Sequence, residues 1–334
     1  MTRMRNGLMF AVLLSLSGCQ ALAEQLAALA GLVDLSLVGV TPAKDYGNPE
    51  SADHGVFFVA LSAENENGKF LAPALKLLEI KNGNGDALEV EDSEQREGKE
   101  QGSLFVLVDA SGSLQSTDPE HYRKDAVALL AQQLAECSSG WRMTLHSFDT
   151  SSVDEIVPWT TDLEQIEAGA EQLSEGGGTN LYDATLQAIE TVDTDIADNF
   201  SNKNAVGKAV VVMSDGADTV SVTSLDDTLD VAGSTGIPVH TVGLGPASDQ
   251  AADADTRLVG ILQEMSEVSD GVYGAASEAA DLPRIAQAIA QAHCGGYSVL
   301  VVKDSDPAES GEAVEGSVGV KGTDIAAPYT FVAP

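Results

Sequence analysis

The sequence predicts an α/β protein whose central domain is a doubly wound parallel sheet, and three observations support that fold class. Two apolar runs, 103–108 and 209–213, have the pattern of strands buried on both faces, and residues 238–244 are predicted to be a third buried strand. Segments with helical periodicity alternate with such strands over about 190 residues, which is the order of a parallel sheet with crossover helices. Short strands and turns on both sides of this region predict a small flanking β-sandwich-like module.

Composition narrows the possible functions. The chain has 334 residues, enough for two domains, and 43% of them are hydrophobic, so a core can form. It carries 52 acidic against 17 basic residues, a formal net charge of −35. Such a surface repels nucleic acids and anionic membrane faces, which excludes DNA or RNA as the expected partner. We interpret the charge as a source of solubility rather than as dedicated calcium buffering.

The first residues have the layout of a secretory signal. Arg3 and Arg5 precede the apolar stretch 8–16, which is too short to span a bilayer. The sequence therefore predicts a signal peptide over residues 1–18.

The residues that follow predict a lipid anchor. The run Leu-Ser-Gly-Cys at 16–19 resembles the bacterial lipobox, in which the cysteine is diacylated. By that resemblance Cys19 is the lipidated first residue of the mature chain, residues 19–34 form a tether, and the protein lies in the cell envelope. Gln20, rather than an aspartate, favours the outer membrane, and the periplasmic or external face stays open. The alternative is an ordinary signal peptide with an incidental cysteine.

Segment 35–98 is predicted to be β-rich. Strands are expected over His54–Ser62 and Leu75–Ile80, and Asn82–Asp86 is a strong hairpin-turn signal. Glu89–Gln101 is charged and contains glycine, so it is predicted to be a linker.

Strand patterns return after the central domain. Tyr297–Val302, Ala313–Val320 and Tyr329–Val332 are predicted strands within the C-terminal segment 295–334. One interpretation is that this segment packs with residues 35–98, which leaves the α/β domain inserted between them.

The central domain, 102–294, alternates helices and strands throughout. After the first strand, a helix starting at Asp118-Pro119 is expected to end near Cys137. The remaining predicted elements are strands at Trp141–Phe148, Glu155–Trp159, Ala209–Met213, Pro238–Leu244 and Gly271–Ala275, helices at Leu163–Leu173, Leu181–Val192, Ser224–Ala232, Arg257–Val268 and Leu282–His293, and a polar surface insertion at Thr194–Gly207.

Oxygen-bearing side chains follow two of the buried strands and a glycine-rich turn. Asp109, Ser111 and Ser113 come directly after the first buried strand, and Asp215 follows the second. Thr179 follows three glycines where a helix is expected to begin. Because the carboxyl ends of parallel strands lie at one edge of a sheet, where open α/β sheets bind ligands, these side chains are expected to converge. Oxygen ligands suit a hard divalent cation.

The order of these motifs resembles that of the von Willebrand factor type A domain. Asp-x-Ser-x-Ser, Gly-Gly-Thr-Asn-Leu-Tyr-Asp-Ala and Ser-Asp-Gly-Ala-Asp occur in sequence, each on the expected element. The resemblance implies a metal-ion-dependent adhesion site (MIDAS). In it Ser111, Ser113 and Thr179 would ligate Mg²⁺, or Mn²⁺ or Ca²⁺, and Asp109 and Asp215 would act through water or through the serines.

The same resemblance implies what such a site does. Neutral hydroxyl ligands leave the charge of the cation incompletely neutralised, so a carboxylate from a partner protein can complete its shell. Two nearby acids are expected to have supporting roles. Asp183 would cap a helix, and Asp218 would support the ligating residues without binding the cation itself.

The cysteines at positions 137 and 294 form an even pair once Cys19 is assigned to the anchor. In the fold that the resemblance implies, they lie at the ends of neighbouring helices, opposite the metal edge. A disulfide between Cys137 and Cys294 is predicted, the alternative being two buried free thiols.

Other motifs do not support catalysis. Ser111 and Ser113 lack the frame of a nucleophile elbow, and the three glycines lack the lysine of a phosphate loop. The histidines have no metal-ligand spacing, and Asp249, Asp253 and Asp255 are interpreted as a solvated acidic loop.

The sequence therefore predicts a non-enzymatic, lipid-anchored adhesion protein that binds a protein partner through a divalent cation. The main alternative is a scaffold subunit of an envelope complex in which the metal is structural. A metal-assisted hydrolase is the enzymatic alternative, although no general base or nucleophile accompanies the site.

Overall fold

The computed structural model of the protein describes residues 32–333, apart from residues 44, 45, 47, 50, 52, 53, 66–69, 74, 139, 151, 203, 204, 252 and 277. The predicted signal peptide 1–18, the predicted anchor Cys19 and most of the tether 19–34 lie outside the described residues. Within the part that is described, the structure contains no helix of the length and apolarity needed to cross a bilayer.

The described chain forms fourteen strands and seven α-helices. The strands are β1 Leu32–Pro42, β2 Val56–Asn65, β3 Phe70–Leu71, β4 Leu78–Asn82, β5 Glu89–Glu97, β6 Gln101–Asp109, β7 Gly140–Phe148, β8 Val153–Thr160, β9 Gly207–Ser214, β10 Val239–Gly243, β11 Tyr273–Ala275, β12 Gly296–Lys303, β13 Ala313–Val320 and β14 Ala326–Val332. The helices are α1 Leu114–Thr117, α2 Tyr122–Cys137, α3 Glu164–Ala170, α4 Leu181–Asn199, α5 Leu225–Thr235, α6 Thr256–Val268 and α7 Leu282–Gly295.

A six-stranded sheet forms the centre of the α/β domain, in the order β11-β10-β9-β6-β7-β8. Its pairings are parallel except that the edge strand β8 runs antiparallel to β7. The doubly wound fold predicted from the buried apolar runs is confirmed. The carboxyl ends of β6 and β9, which are adjacent strands, therefore lie side by side.

Each face of the central sheet has its own hydrophobic core. Alternate residues of β6 point to opposite faces, as the pleat of a strand requires. Leu104 and Val106 pack with helices α2, α3 and α7, whereas Phe105 and Leu107 pack with helices α4, α5 and α6. This double burial explains why β6 reads as an unbroken apolar run.

Two antiparallel sheets form the flanking β-module. One has the order β1-β2-β12-β5, with β3 added beside β2, and the other has the order β14-β13-β4. Their inner faces share one core that includes Phe57, Ile80, Tyr329 and Phe331. The chain enters the α/β domain after β5 and returns to the module in β12, and these two strands pair with each other.

The predicted linker Glu89–Gln101 is wrong, because Glu89–Glu97 is the edge strand β5 and Gln101 begins β6. Strand β5 pairs only with β12, and its side chains are mostly exposed on both faces. Apart from its pairing with β12, the strand is held by polar side-chain contacts such as that of Arg96 with Tyr297, so its charged sequence carries no apolar alternation that could have revealed it.

The polar insertion predicted at Thr194–Gly207 is also wrong in its first part, because helix α4 continues to Asn199. Asp195 is buried there and accepts a hydrogen bond from Ser103 Oγ at 2.6 Å. It also pairs with Arg142 Nη2 at 3.1 Å. The helix therefore continues through this polar segment, in which the buried carboxylate of Asp195 is paired.

Cys294 is disulfide-bonded in the structure. Helices α2 and α7 pack in the same hydrophobic core, and Cys294 Sγ lies 3.8 Å from the carbonyl oxygen of Gln133 on α2. Cys137 is the last residue of α2, although its side chain lies outside the described part of the chain. The pairing of Cys137 with Cys294 stays a prediction.

Candidate metal centre

Asp109 lies at the carboxyl end of the central strand β6 and is 1% exposed. Its Oδ1 accepts a hydrogen bond from the N–H of Ser111 at 2.7 Å, and its Oδ2 accepts one from Ser214 Oγ at 2.6 Å. Burial raises the pKa of Asp109 to about 6, although these hydrogen bonds lower it, and the charge of Asp215 raises it further. The hydrogen bonds therefore fix the orientation of the carboxyl group, while burial disfavours its ionised form.

Hydrogen-bonded hydroxyl groups connect the turn that follows Asp109 to Asp215, the residue directly after β9. Ser113 Oγ donates to Asp215 Oδ1 at 2.8 Å, and Thr117 Oγ1 donates to Asp215 Oδ2. Ser111 Oγ lies 2.9 Å from Ser113 Oγ. Because the single proton of Ser113 is directed at Asp215, the hydroxyl of Ser111 is the donor between the two serines.

Thr179 is brought to the same place by its backbone. Its N–H donates to Thr219 Oγ1 at 2.9 Å, and the N–H of Thr219 donates to the carbonyl oxygen of Thr179 at 2.8 Å. A methyl group added at Gly216 would lie 3.7 Å from Thr179 Oγ1. Thr179 is 4% exposed, and its hydroxyl has no hydrogen-bond partner among the residues that the structure describes.

The loop that carries Thr179 is tied directly to the Asp109 turn. Gly176 donates its N–H to the carbonyl oxygen of Ala110 at 2.7 Å, and Gly112 donates to that of Gly177 at 3.2 Å. Gly177 has a φ of +82°, a conformation that glycine adopts without the steric cost of a side chain. The glycines thus allow the two loops to approach closely enough to share backbone hydrogen bonds.

A buried arginine links the segments just outside these two loops. Arg123 is 2% exposed, and its Nη1 donates to Asp118 Oδ2 at 2.7 Å while its Nη2 donates to Glu175. Asp118 was expected to begin a helix, but α2 begins at Tyr122, whose N–H donates to Asp118 Oδ1 at 2.7 Å. His121 precedes it in the left-handed region, with a φ of 61°, which breaks the helix between Asp118 and Tyr122.

The contacts of the two supporting acids differ from those expected of them. Asp218 accepts a hydrogen bond from the N–H of Tyr182 at 3.1 Å, in the first turn of α4. Asp183 instead accepts from the N–H groups of Val222 and Thr223, at 2.8 and 2.9 Å. Partial burial opposes ionisation of Asp183, but these hydrogen bonds lower its pKa below the ordinary value. Both acids therefore fix the loop that follows Asp215.

The donor set fits a hard divalent cation. Two buried carboxylates lie near one another, and neither forms an ion pair with a basic side chain within the described residues. Ser113 directs its proton at Asp215 and accepts from Ser111, which leaves one lone pair for another partner, and Thr179 has an unused hydroxyl. Hydroxyl and carboxylate oxygens are what Mg²⁺, Mn²⁺ and Ca²⁺ prefer.

Other acidic positions do not form a comparable site. Nowhere in the described ranges do three or more histidine, cysteine, aspartate or glutamate side chains group as metal ligands. Asp249 is buried rather than solvated, 4% exposed, with Oδ2 accepting from the N–H of Val332 at 3.4 Å. Asp255 accepts from the N–H of Arg257 and caps helix α6.

Three residues that contact the candidate metal centre were not identified individually from the sequence. Ser214 stands in the quoted Ser-Asp-Gly motif, so its position next to Asp215 was a usable signal. Thr117 and Thr219 have no such signal, because their contacts with Asp215 and Thr179 depend on how separate loops meet.

Solved structures with a similar fold share little sequence with this chain. The SpRpn10 VWA domain is 13% identical, with 59% of this chain and 97% of that chain covered and a TM-score of 0.42. The vWF domain of the type V pili tip protein Mfa5 from Porphyromonas gingivalis is 13% identical, with 58% and 95% covered and a TM-score of 0.43. Proximal thread matrix protein 1 from the mussel byssus, solved with a zinc-occupied MIDAS motif, is 12% identical, with 64% and 49% covered and a TM-score of 0.44.

A comparison with curated protein sequences finds no match. The family model described as the von Willebrand factor type A domain matches residues 103–302. That range contains the central sheet, its helices and strand β12, and it covers more than half of the chain. The protein belongs to the von Willebrand factor type A domain family.

Proposed function

We propose that this protein is a lipid-anchored envelope protein that binds a partner protein through a divalent cation. The observation that carries the proposal is a pair of interacting, buried carboxylates, Asp109 and Asp215, that lack a basic partner among the described residues, with the unpartnered hydroxyl of Thr179 close to Gly216, which follows Asp215. Such an arrangement is costly unless a cation neutralises it. The partner's contribution is a carboxylate, from an aspartate, a glutamate or a chain end.

The roles of the individual residues follow from their hydrogen bonds. Ser111, Ser113 and Thr179 would hold Mg²⁺, or Mn²⁺ or Ca²⁺, through neutral hydroxyl oxygens. Asp109 and Asp215 would act through water or through the hydroxyl groups that already donate to them. When bound, the cation supplies a positive charge that this shell only partly neutralises, and an incoming carboxylate completes its coordination.

Thr179→Ala is expected to weaken Mg²⁺ binding by at least on the order of tenfold, because it removes an oxygen that has no other use. Calorimetric titration with Mg²⁺ and Mn²⁺ measures this directly. Thr191→Ala, at a partly exposed threonine on helix α4, is the matched control and should bind like wild type.

A pull-down from envelope extract, in Mg²⁺ and then in EDTA, tests the function itself. A partner that is lost in EDTA and with Thr179→Ala, but kept with Thr191→Ala, supports metal-dependent adhesion. A partner that is retained under all these conditions contradicts it and favours a scaffold role with a structural metal.

The anchor has its own test. Cells grown with an alkynyl palmitate analogue are expected to incorporate the label into the wild-type protein and not into Cys19→Ser. Detection of the label by click chemistry after immunoprecipitation measures this. An unlabelled wild-type protein would remove the lipid anchor from the proposal and leave the metal site unaffected.

A further inference from the structure

The loop between β9 and α5 presents apolar side chains directly beside the candidate metal centre. Among the described residues, the exposed large hydrophobic side chains are Val90, Val220, Val222 and Val268. Two of these four, Val220 and Val222, belong to this one loop, where they are 40% and 96% exposed. We call this pair the valine ledge.

The ledge adjoins Thr179 itself. Cγ1 of Val220 lies 3.8 Å from the position that a methyl group on Gly178 would take. Gly178 immediately precedes Thr179. Thr219, next to Val220, donates its N–H to the carbonyl oxygen of Thr179 and accepts the N–H of Thr179 at its side-chain Oγ1. A methyl group at Gly176 would meet no atom within 4 Å, whereas one at Gly178 would meet Thr219 Oγ1 at 2.8 Å, so the loop is open at Gly176 and closely packed at Gly178. Val220 therefore lies against the glycine loop that leads into Thr179.

The exposure of the valines is imposed by hydrogen bonds that fix the loop. The carboxylate of Asp183 accepts from the N–H of Val222 and from that of Thr223. Asp218 accepts from the N–H of Ser221 at 3.0 Å, and Ser221 Oγ donates to Asn180 Oδ1 at 2.9 Å. The loop therefore holds a fully solvated valine in a defined position, where it adds nothing to the core.

We propose that the valine ledge is a specificity surface for the partner's acidic residue, which sits next to an aliphatic or aromatic side chain in the partner. This inference rests on the proposed metal-dependent function and adds the chemistry of the ligand. The metal binds the carboxylate, and the ledge buries the neighbouring apolar side chain. Because the chain carries 52 acidic against 17 basic residues, the remainder of the partner segment is neutral or basic.

Two blocked tripeptides, Leu-Asp-Leu and Gly-Asp-Gly, test the proposal with the complete protein in excess Mg²⁺. Wild type is expected to bind the leucine peptide about tenfold more tightly, the effect of burying one aliphatic side chain. The double variant Val220→Ser/Val222→Ser should lose that preference while its Mg²⁺ affinity stays unchanged. Val268→Ser, which replaces an exposed valine on helix α6, is the control and should keep the preference.

Three outcomes would overturn the inference. A wild-type protein that binds Mg²⁺ but prefers neither peptide, or binds neither, has no functional ledge. A preference that survives in the double variant places the selectivity elsewhere. A wild-type protein that gives no heat with Mg²⁺ loses the proposed function and this inference together, and the metal titration done first separates that case from the other two.

Discussion

Replacing Arg123 by methionine is expected to lower the free energy of unfolding by about 3–5 kcal/mol, the usual cost of removing one partner from a buried ion pair. Arg123 is 2% exposed and donates to both Asp118 and Glu175, which are 0% and 17% exposed at their side chains. Without the guanidinium, Asp118 remains a buried carboxylate with no basic partner, held by the backbone N–H groups of residues 122 and 123 alone. Urea denaturation followed by circular dichroism measures the change.

The same substitution should also disturb the candidate metal centre. Glu175 precedes the glycines that lead to Thr179, and Asp118 follows the turn after Asp109. We expect weaker Mg²⁺ binding under conditions in which the variant is still folded. Arg284→Met, which removes an equal charge from the exposed face of α7, is the control and should change stability by less than about 0.5 kcal/mol. A similar, small loss in both variants would contradict a supporting role for Arg123.

In EDTA, Asp109→Asn is expected to stabilise the protein at neutral pH by about 2–3 kcal/mol. The folded pKa of Asp109 is about 6 against an ordinary value of 3.8. Because burial raises it, the folded state binds more protons than the unfolded state between these values, and wild type loses stability as the pH rises from about 4 to about 6. Asparagine keeps an acceptor for the Ser111 N–H and cannot ionise, so this pH dependence should flatten.

Thermal unfolding in EDTA at pH 4 to 7, then with Mg²⁺ at pH 7, measures both parts of this prediction. Mg²⁺ should raise the melting temperature of wild type and leave that of Asp109→Asn unchanged. Asp195→Asn is the matched control, because Asp195 is also buried but is paired with Arg142. It should destabilise the protein at pH 7. Equal responses of both variants, or a Mg²⁺ effect that persists in Asp109→Asn, would argue against a cation at this edge.

The strength of the sequence signal differed between the two domains for a physical reason. Strand β6 is buried on both faces, so its composition is constrained at every position and its pattern is unambiguous. Strand β5 is an edge strand whose side chains are mostly exposed, so its backbone pairing with β12 and a few polar contacts, such as that of Arg96 with Tyr297, define it. An apolar side-chain pattern cannot reveal an element that buries almost no apolar side chains.

By itself, the sequence determined the α/β class, the order of the buried strands and the positions of Asp109, Ser111, Ser113, Thr179 and Asp215 at the ends of their elements. These features follow from local periodicity and from the rule that parallel strands end at one edge. Only the tertiary structure decided what surrounds them: Arg123 between Asp118 and Glu175, Thr117 on Asp215, Thr219 on Thr179 and the exposed valine ledge. Apart from the contact between Arg123 and Asp118, which lie five residues apart, those contacts join residues at least 40 positions apart in the chain. Their geometry depends on the packing of several loops at once, which no local pattern encodes.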